Sequence, residues 1–243
     1  SSAASDVYKR QVDERIVSLK PQSLSDAEAA ALPLTAITAW EMLFDRFNVD
    51  LEKFDNILVI GGAGGVGSIA IQLLKAKTNL KVIATASREE TKAWVKSLGA
   101  DYVIDHTEDL NTQIKALGLD APQYIFSTNQ TETYLPQISK LIAPQGKFGL
   151  IDDPKLLDIG EFKSKSVSVH WEFMFTRSMF NTTDIEQQSQ LLHQVAELVD
   201  NHRIKTTLNQ TLGKINAKNL KLAHELIETC LLYTSPSPRD RQK

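Results

Sequence analysis

The segment Asn56-Ile-Leu-Val-Ile-Gly-Gly-Ala-Gly-Gly-Val-Gly67 contains the clearest structural pattern of this chain. It opens with a short, almost wholly apolar run that stops at glycines, which is typical of a strand buried on both faces. Apolar residues then recur at helical spacing up to Lys75, and residues 81–86 form a second apolar run. A strand, a glycine turn, a helix and a strand within about 30 residues predict one βαβ unit.

The same alternation of elements continues downstream. Further strands are predicted over residues 102–105, 123–127, 147–151 and 167–173. Helices are predicted over residues 89–98, 110–117, 135–142, 185–201 and 217–227. In the last strand Val167, Val169, Trp171 and Phe173 fall on one face. Alternating strands and helices predict an α/β fold whose parallel sheet is covered by helices on both sides.

Two helices are predicted ahead of this alternation, within residues 20–47. Ser25 is placed to cap the first, which ends by Leu32, just before Pro33. The second is predicted from Thr38 to Phe47.

The glycines predict a dinucleotide site, because they lie between a predicted strand and a predicted helix. In such a loop Gly62 allows the tight turn, Gly64 lets a pyrophosphate approach the backbone, and Gly67 lets the helix pack closely on the strand. Free N–H groups and the dipole at the helix start then hold the phosphates. The alternative is a glycine turn that serves packing only.

The residues after the second strand favour NADPH over NADH. An acidic residue about 20 positions beyond the loop binds the ribose 2′-hydroxyl of NAD, but this chain has Ser87 and Arg88 there. A hydroxyl and a guanidinium suit a 2′-phosphate. Two alternatives remain open: residues 87–90 also fit a helix capping box, and Glu89 could stand in for the missing acid.

Composition narrows the function classes further. The chain has 243 residues, of which 42% are hydrophobic and 23% charged, a net charge of −3 and an isoelectric point near 6.0. These values are typical of a globular protein and argue against nucleic-acid or membrane partners. The single cysteine, Cys230, favours a cytoplasmic location. No metal is expected in this chain, because no histidine has ligand spacing.

Several motifs, in this order and spacing, resemble the medium-chain dehydrogenase/reductase superfamily. The similarity is strongest to its quinone-oxidoreductase-like branch and to zinc-type alcohol dehydrogenase-like proteins. The markers are Glu28-Ala-Ala-Ala-Leu-Pro-Leu-Thr35, Thr38-Ala-Trp-Glu41, Gly61-Gly-Ala-Gly-Gly-Val-Gly67, Leu98-Gly-Ala-Asp-Tyr-Val-Ile-Asp105 and Leu141-Ile-Ala-Pro-Gln-Gly146. The resemblance implies a Rossmann-type, doubly wound, six-stranded parallel sheet with strand order 3-2-1-4-5-6.

The resemblance also implies which residues contact the cofactor. Thr38 corresponds to a threonine near the nicotinamide, and His106 to a tyrosine against the adenosine. The remaining positions fall in the pyrophosphate loop, at the 2′-phosphate and beside the later strand ends: Gly62, Gly64, Gly65, Val66, Gly67, Ser87, Arg88, Ser127, Thr128, Ile151 and Asp152. The alternative for each serine or threonine is a helix cap or turn, and for His106 a plain surface histidine.

The resemblance covers residues 12–229, which are expected to form the nucleotide-binding domain with its leading helices. The family's preceding GroES-like catalytic domain, which would hold any zinc ligands, is expected to be missing. Residues 1–11 and 230–243 are expected to be non-native, adapter-derived sequence, the alternative being ordinary disordered termini.

The implied activity is hydride transfer from NADPH to a quinone or an activated enone, with this fragment inactive alone. Two rivals remain open: a non-catalytic NADPH-binding sensor or structural protein, and a zinc-dependent alcohol dehydrogenase. We name no catalytic acid or base, since no suitable group stands out. A homodimer through the sixth-strand edge is also expected, unless its aromatic residues are core beneath a loop.

Overall fold

The computed structural model describes residues 12–228, and a six-stranded parallel sheet lies at their centre. The strands are β1 (Asn56–Ile60), β2 (Lys81–Thr85), β3 (Tyr102–Ile104), β4 (Tyr124–Ser127), β5 (Lys147–Leu150) and β6 (Ser168–Trp171). Their spatial order is β3-β2-β1-β4-β5-β6, and every neighbouring pair is parallel. The predicted fold class and strand order are therefore confirmed.

Helices pack on both faces of the sheet. They are α1 (Asp26–Ala30), α2 (Pro33–Trp40), α3 (Gly65–Lys77), α4 (Glu89–Ser97), α5 (Leu110–Ala116), α6 (Thr131–Leu141), α7 (Thr176–Phe180), α8 (Gln187–Asp200) and α9 (Ala217–Glu228). A π-helical turn, Glu41–Arg46, continues α2, and short 3₁₀ helices cover Glu14–Ile16 and Ile159–Lys165. None of the helices within residues 12–228 combines the length and apolarity that a bilayer crossing requires.

The central strand β1 is buried on both sides, which explains its nearly continuous apolar sequence. Ile57 and Val59 join one hydrophobic cluster, which includes side chains of α2, α3 and α8. Leu58 and Ile60 join a second cluster on the other face, with side chains of α5 and α6. Alternate residues of a strand point to opposite faces, so one short run contributes to both layers of the core.

The leading helices differ in part from their predicted bounds. The capping box of α1 is present, with Ser25 and Glu28 bonding each other's backbone N–H groups. The second helix, however, begins at Pro33 rather than Thr38. Proline suits the first helical position because its missing N–H would have no partner there, so the prediction of a boundary at Pro33 placed the helix start too late.

The π-helical turn packs against β5 at a position that only glycine can occupy. A Cβ atom on Gly149 would overlap the sulfur of Met42 and lie 2.7 Å from Cζ of Phe47. Both side chains are fully buried and have no room to retreat. Gly149 therefore lets the turn approach the sheet closely.

The sixth strand is present, but its predicted apolar face is only partly core: Val167 and Val169 are half-buried against the second cluster, whereas the aromatic residues are exposed. Trp171 is 50% exposed and Phe173 is 51% exposed, whereas the acidic Glu172 between them is 3% exposed. The interpretation of these aromatic residues as core beneath a loop is therefore wrong. The helix α7 that follows was not predicted.

Candidate nucleotide-binding site

The glycine turn leaves the carboxyl end of β1 through Gly61, whose φ of 78° lies in the left-handed region. The Gly61 N–H donates to Thr85 Oγ1 at 3.0 Å, and the Gly64 N–H donates to the Gly61 carbonyl at 3.0 Å. The residue that makes the tight turn is thus Gly61, and the prediction that assigned this role to Gly62 is off by one. Gly62 instead allows close packing, because a Cβ there would lie 2.9 Å from Cβ of Ala84 on β2.

Gly67 lets the first turn of α3 lie directly on the glycine turn. A Cβ atom on Gly67 would overlap the Gly61 carbonyl oxygen and lie 2.8 Å from Cα of Gly62. Both of these atoms belong to the backbone, so neither can rotate away. The close packing predicted for Gly67 is present.

The N-terminus of α3 is suited to an anion. Gly64 is the N-cap residue, no side chain caps the helix, and the first turn carries no acidic residue. Gly64 and Gly65 are half-buried, while Val66 is buried. Uncapped N–H groups and the positive end of the helix dipole attract negative charge. The N-terminus of α3 can therefore bind phosphate groups.

Ser87 and Arg88 follow the carboxyl end of β2. Arg88 is exposed, and its N–H donates to Thr91 Oγ1 at 3.1 Å, which makes Arg88 the N-cap residue of α4. The capping box considered for residues 87–90 therefore lies one residue later and leaves the half-buried Ser87 outside it. Glu89 pairs with Lys92, with 3.2 Å between Oε1 and Nζ.

The expected residues after β4 are held by internal hydrogen bonds. Thr128 Oγ1 donates to the Ile60 carbonyl at 2.9 Å and so ties the end of β1 to β4. Ser127 is fully buried, and its Oγ lies 2.8 Å from Thr131 Oγ1. Asp152 accepts from the N–H of Thr131 at 2.9 Å and from its hydroxyl at 2.5 Å. Ser127, Thr128 and Asp152 thus brace the strand ends.

Thr131 is the residue that sequence reasoning missed at this edge. It is fully buried at the first position of α6 and links the ends of β4 and β5 through Ser127 and Asp152. Its signal in the sequence was weak, because α6 was predicted to begin only at residue 135. Ile151, which follows β5, is half-buried beside Asp152.

Thr38 and His106 lie on different elements from the glycine turn. Thr38 is buried in α2 and its hydroxyl donates to the Leu34 carbonyl at 2.8 Å, while α2 packs against α3. His106 is half-buried two residues beyond β3, with Nδ1 3.1 Å from the Tyr134 hydroxyl. Burial and the charge of Asp105 raise the pKa of Tyr134, so this hydroxyl stays protonated beside His106.

The parallel sheet brings most of these residues to one edge. The glycine turn, Ser87, Ser127 and Ile151 all lie at or just beyond the carboxyl ends of adjacent strands, where ligands of open α/β sheets bind. The strand order reverses between β1 and β4, so the crevice lies beside Gly61 and Thr128. Within residues 12–228 no group of three or more His, Cys, Asp and Glu side chains is placed to hold a metal ion.

The fold and this crevice define the class of doubly wound α/β proteins with a nucleotide-type glycine turn. The sequence profile of the zinc-binding dehydrogenase family matches residues 65–194, which is more than half of the chain. The chain belongs to this family of oxidoreductases, and with it to the medium-chain dehydrogenase/reductase superfamily, where it is quinone-oxidoreductase-like.

Individual relatives agree with this assignment. A zinc-type alcohol dehydrogenase-like protein of Staphylococcus epidermidis is 37% identical over 223 residues, which cover 90% of this chain and 66% of that protein. The crystal structure of a Rhizobium etli protein provisionally classed as a zinc-dependent alcohol dehydrogenase is 55% identical, with a TM-score of 0.87, and covers 91% of this chain. The chain spans 66% of the length of each.

A third relative matches a shorter part of the chain. The chloroplastic NADPH-dependent alkenal/one oxidoreductase of Arabidopsis thaliana is 46% identical over 99 residues, which are 40% of this chain and 25% of that protein.

Proposed function

We propose that this chain is the cofactor-binding part of an NADPH-dependent oxidoreductase that reduces activated enones or quinones. The observation that carries the proposal is the uncapped N-terminus of α3 at the glycine turn. Bound there, NADPH supplies a hydride from C4 of its nicotinamide.

The chain's own residues bind and orient the nucleotide. The N–H groups of Gly65, Val66 and Gly67 receive the diphosphate, and Gly64 leaves room for it to approach. Ser127, Thr128 and Asp152 keep the strand ends fixed, so that the crevice beside Ile151 holds its shape. Such positioning is the protein's main contribution to a cofactor reaction.

The preference for NADPH is proposed from the end of β2. Ser87 is free of the α4 cap, and Arg88 is exposed, so both side chains can reach a 2′-phosphate. The Arabidopsis relative, whose name specifies NADPH, supports the same preference.

Replacing Arg88 with alanine is expected to weaken NADPH binding about tenfold or more and to leave NADH binding unchanged. The reason is that one charge-assisted hydrogen bond to the 2′-phosphate contributes about 1.5–3 kcal/mol. Titration of both nucleotides by calorimetry measures the two affinities. The Lys96→Ala variant removes an equal charge from the same helix and serves as the control. An equal loss for both nucleotides in Arg88→Ala would refute the 2′-phosphate role.

Two other functions remain candidates. A sensor or structural protein would bind NADPH through the same crevice without turnover, and a zinc-dependent alcohol dehydrogenase would hold its metal outside this chain. Assays of the complete protein with enones, quinones and alcohols, together with its zinc content, distinguish them. NADPH oxidation by enones or quinones supports our proposal, whereas zinc-dependent alcohol turnover contradicts it.

We also infer that the open edge of β6 pairs with a second copy of the chain. In the part of the chain that the structure describes, β6 has one strand neighbour, β5. Apolar side chains on β6 and α7 are exposed beside this edge: Trp171 by 50%, Met179 by 65% and Phe180 by 73%. An apolar open edge favours pairing with an identical edge across a two-fold axis.

The Trp171→Lys variant is therefore expected to be monomeric where the unmodified chain is dimeric. A lysine on an edge strand opposes strand pairing because its charge would be desolvated. Light scattering measures the mass of each form. Phe54→Lys places the same charge at another exposed aromatic position, 74% exposed, and is expected to remain dimeric. A monomeric unmodified chain would refute the inference.

A further inference from the structure

Two acidic side chains are buried together where the π-helical turn meets the end of β6. Glu41 begins the turn and is completely buried, and Glu172, directly after β6, is 3% exposed. Both carboxyl groups lie against Arg46, whose Nη2 is 3.9 Å from Glu41 Oε2 and whose Nε is 2.8 Å from Glu172 Oε2. Acidic groups are almost never fully buried unless they are paired or neutral, so this pair requires an explanation.

The surrounding cations do not balance the acidic groups. Arg46 Nε lies 2.8 Å from Glu172 Oε2, and Arg177 lies 2.6 Å from Glu41 Oε1. Arg177 also contacts Asp45 at 2.9 Å and Asp184 at 3.0 Å. Two arginines thus serve four carboxyl groups.

The other polar groups near the pair do not supply the missing charge. Gln188, on α8, donates to Glu41 Oε1 at 3.0 Å but is neutral. His170, on β6, has its pKa lowered by burial and by the charges of Lys147 and Arg46, so it stays neutral as well. Lys147 Nζ donates a hydrogen bond to the Phe47 carbonyl.

One oxygen of each carboxyl group accepts no hydrogen bond, and the 3.9 Å between Arg46 Nη2 and Glu41 Oε2 is too long for one. Among the described residues, Glu41 Oε2 and Glu172 Oε1 are buried with no hydrogen-bond partner. A carboxylate pair has no hydrogen to offer, but a single proton satisfies the need of both groups because the protonated acid donates to the other. We propose that Glu41 and Glu172 share one proton, and that this proton stabilises the packing of residues 172–180 against the π-helical turn.

The segment that this proton fastens carries the exposed aromatic surface. Phe173 and Phe175 are exposed and contact each other, with 5.3 Å between their ring centroids, and Arg177 of α7 reaches back to Glu41. Loss of the proton would place two charges together in a buried site, and the segment that carries Glu172 is the nearer to solvent. Its opening is therefore the way to relieve the repulsion. The proposal does not depend on nucleotide binding.

The proton predicts how stability changes with pH. Burial, together with the neighbouring Glu41, raises the pKa of Glu172 from 4.5 to about 8. The folded chain therefore holds a proton that the unfolded chain has lost, so this group makes stability fall as the pH rises from about 4.5 to about 8. Each pH unit in this window multiplies the unfolding equilibrium constant by up to about ten.

The test compares urea unfolding of the chain and of Glu172→Gln at pH 5.5, 6.5 and 7.5. Glutamine is neutral and can donate to Glu41. The increase of the unfolding equilibrium constant by up to about tenfold per pH unit should therefore disappear in this variant. Glu52→Gln, at an exposed position with the same chemistry, should keep it. Hydrogen exchange of the amides in residues 173–180 should quicken above pH 7.5 in the unmodified chain and less in Glu172→Gln.

A second measurement does not require any variant to fold. Infrared spectra of the unmodified chain at pH 6.5 should contain the carbonyl band of one protonated carboxylic acid, which disappears above pH 8. A parallel pH dependence of unfolding in the chain and in Glu172→Gln would overturn the proposal. Absence of the protonated band at pH 6.5 would overturn it as well.

Discussion

Replacing Gly67 with alanine is expected to weaken nucleotide binding at least about 100-fold, or about 3 kcal/mol. The added Cβ overlaps the Gly61 carbonyl oxygen and approaches Cα of Gly62, so the turn must move away from α3. The helix mouth then no longer presents its N–H groups to the diphosphate. The same overpacking is expected to lower the free energy of unfolding by about 1–3 kcal/mol.

Calorimetric titration with NADPH and urea unfolding measure the two effects separately. Gly160→Ala is the control, since its Cβ would meet the exposed Asp158 side chain at 3.0 Å and disturb at most the hydrogen bond that Asp158 accepts from the Gly160 N–H. That variant should bind NADPH like the unmodified chain and lose less stability than Gly67→Ala. If Gly67→Ala kept full affinity, the close approach of turn and helix would have no part in binding.

The second large effect is expected at Arg177. The Arg177→Met variant should lower the free energy of unfolding by about 3–5 kcal/mol, because removing one partner leaves buried charge uncompensated. Glu41 is fully buried and would lose its 2.6 Å contact, and Asp45 and Asp184 would lose theirs. Methionine nearly preserves the apolar volume, so the loss reports the charge.

Urea unfolding at pH 7 measures this loss. Arg203→Met provides the matched comparison, because the exposed Arg203 guanidinium donates to the neutral Ala76 carbonyl at 3.0 Å, and a much smaller change is expected there. Equal stabilities of the two variants would show that the ion pairs of Arg177 do not stabilise the packing of residues 172–180.

The sheet was predictable because its signals are local. β1 and β4 are short apolar runs bounded by turn residues. Because both strands are buried on both faces, their sequences are almost wholly apolar and easy to recognise. The glycine turn was found from its place between a strand and a helix. Its detailed geometry was not, because the left-handed residue depends on how Thr85 receives the Gly61 N–H.

The features that escaped prediction depend on partners far along the chain. Glu41 follows an apolar helix and resembles an ordinary surface residue in sequence, yet it is fully buried against Arg177 and Gln188. The π-helical turn likewise depends on the space left by Gly149. Pairings of this kind follow from tertiary packing rather than from local propensity.

The hydrogen bonds that link the ends of β4 and β5 could not be predicted from the sequence either. Asp152 and Ser127 were predicted beside the cofactor, and the structure shows that both are bonded to Thr131, which has no motif of its own. Residues that contact a ligand and residues that support them are of the same types, so the three-dimensional structure is needed to distinguish the two roles.

Calorimetric titration of NADPH and NADH into the folded chain tests whether the glycine turn binds a nicotinamide nucleotide. The uncapped N-terminus of α3 predicts saturable binding of one nucleotide per chain, with NADPH the tighter ligand, and at least about 100-fold weaker binding in Gly67→Ala. Circular dichroism confirms that each sample is folded. A folded chain that takes up neither nucleotide would show that the glycine turn is not a nucleotide site.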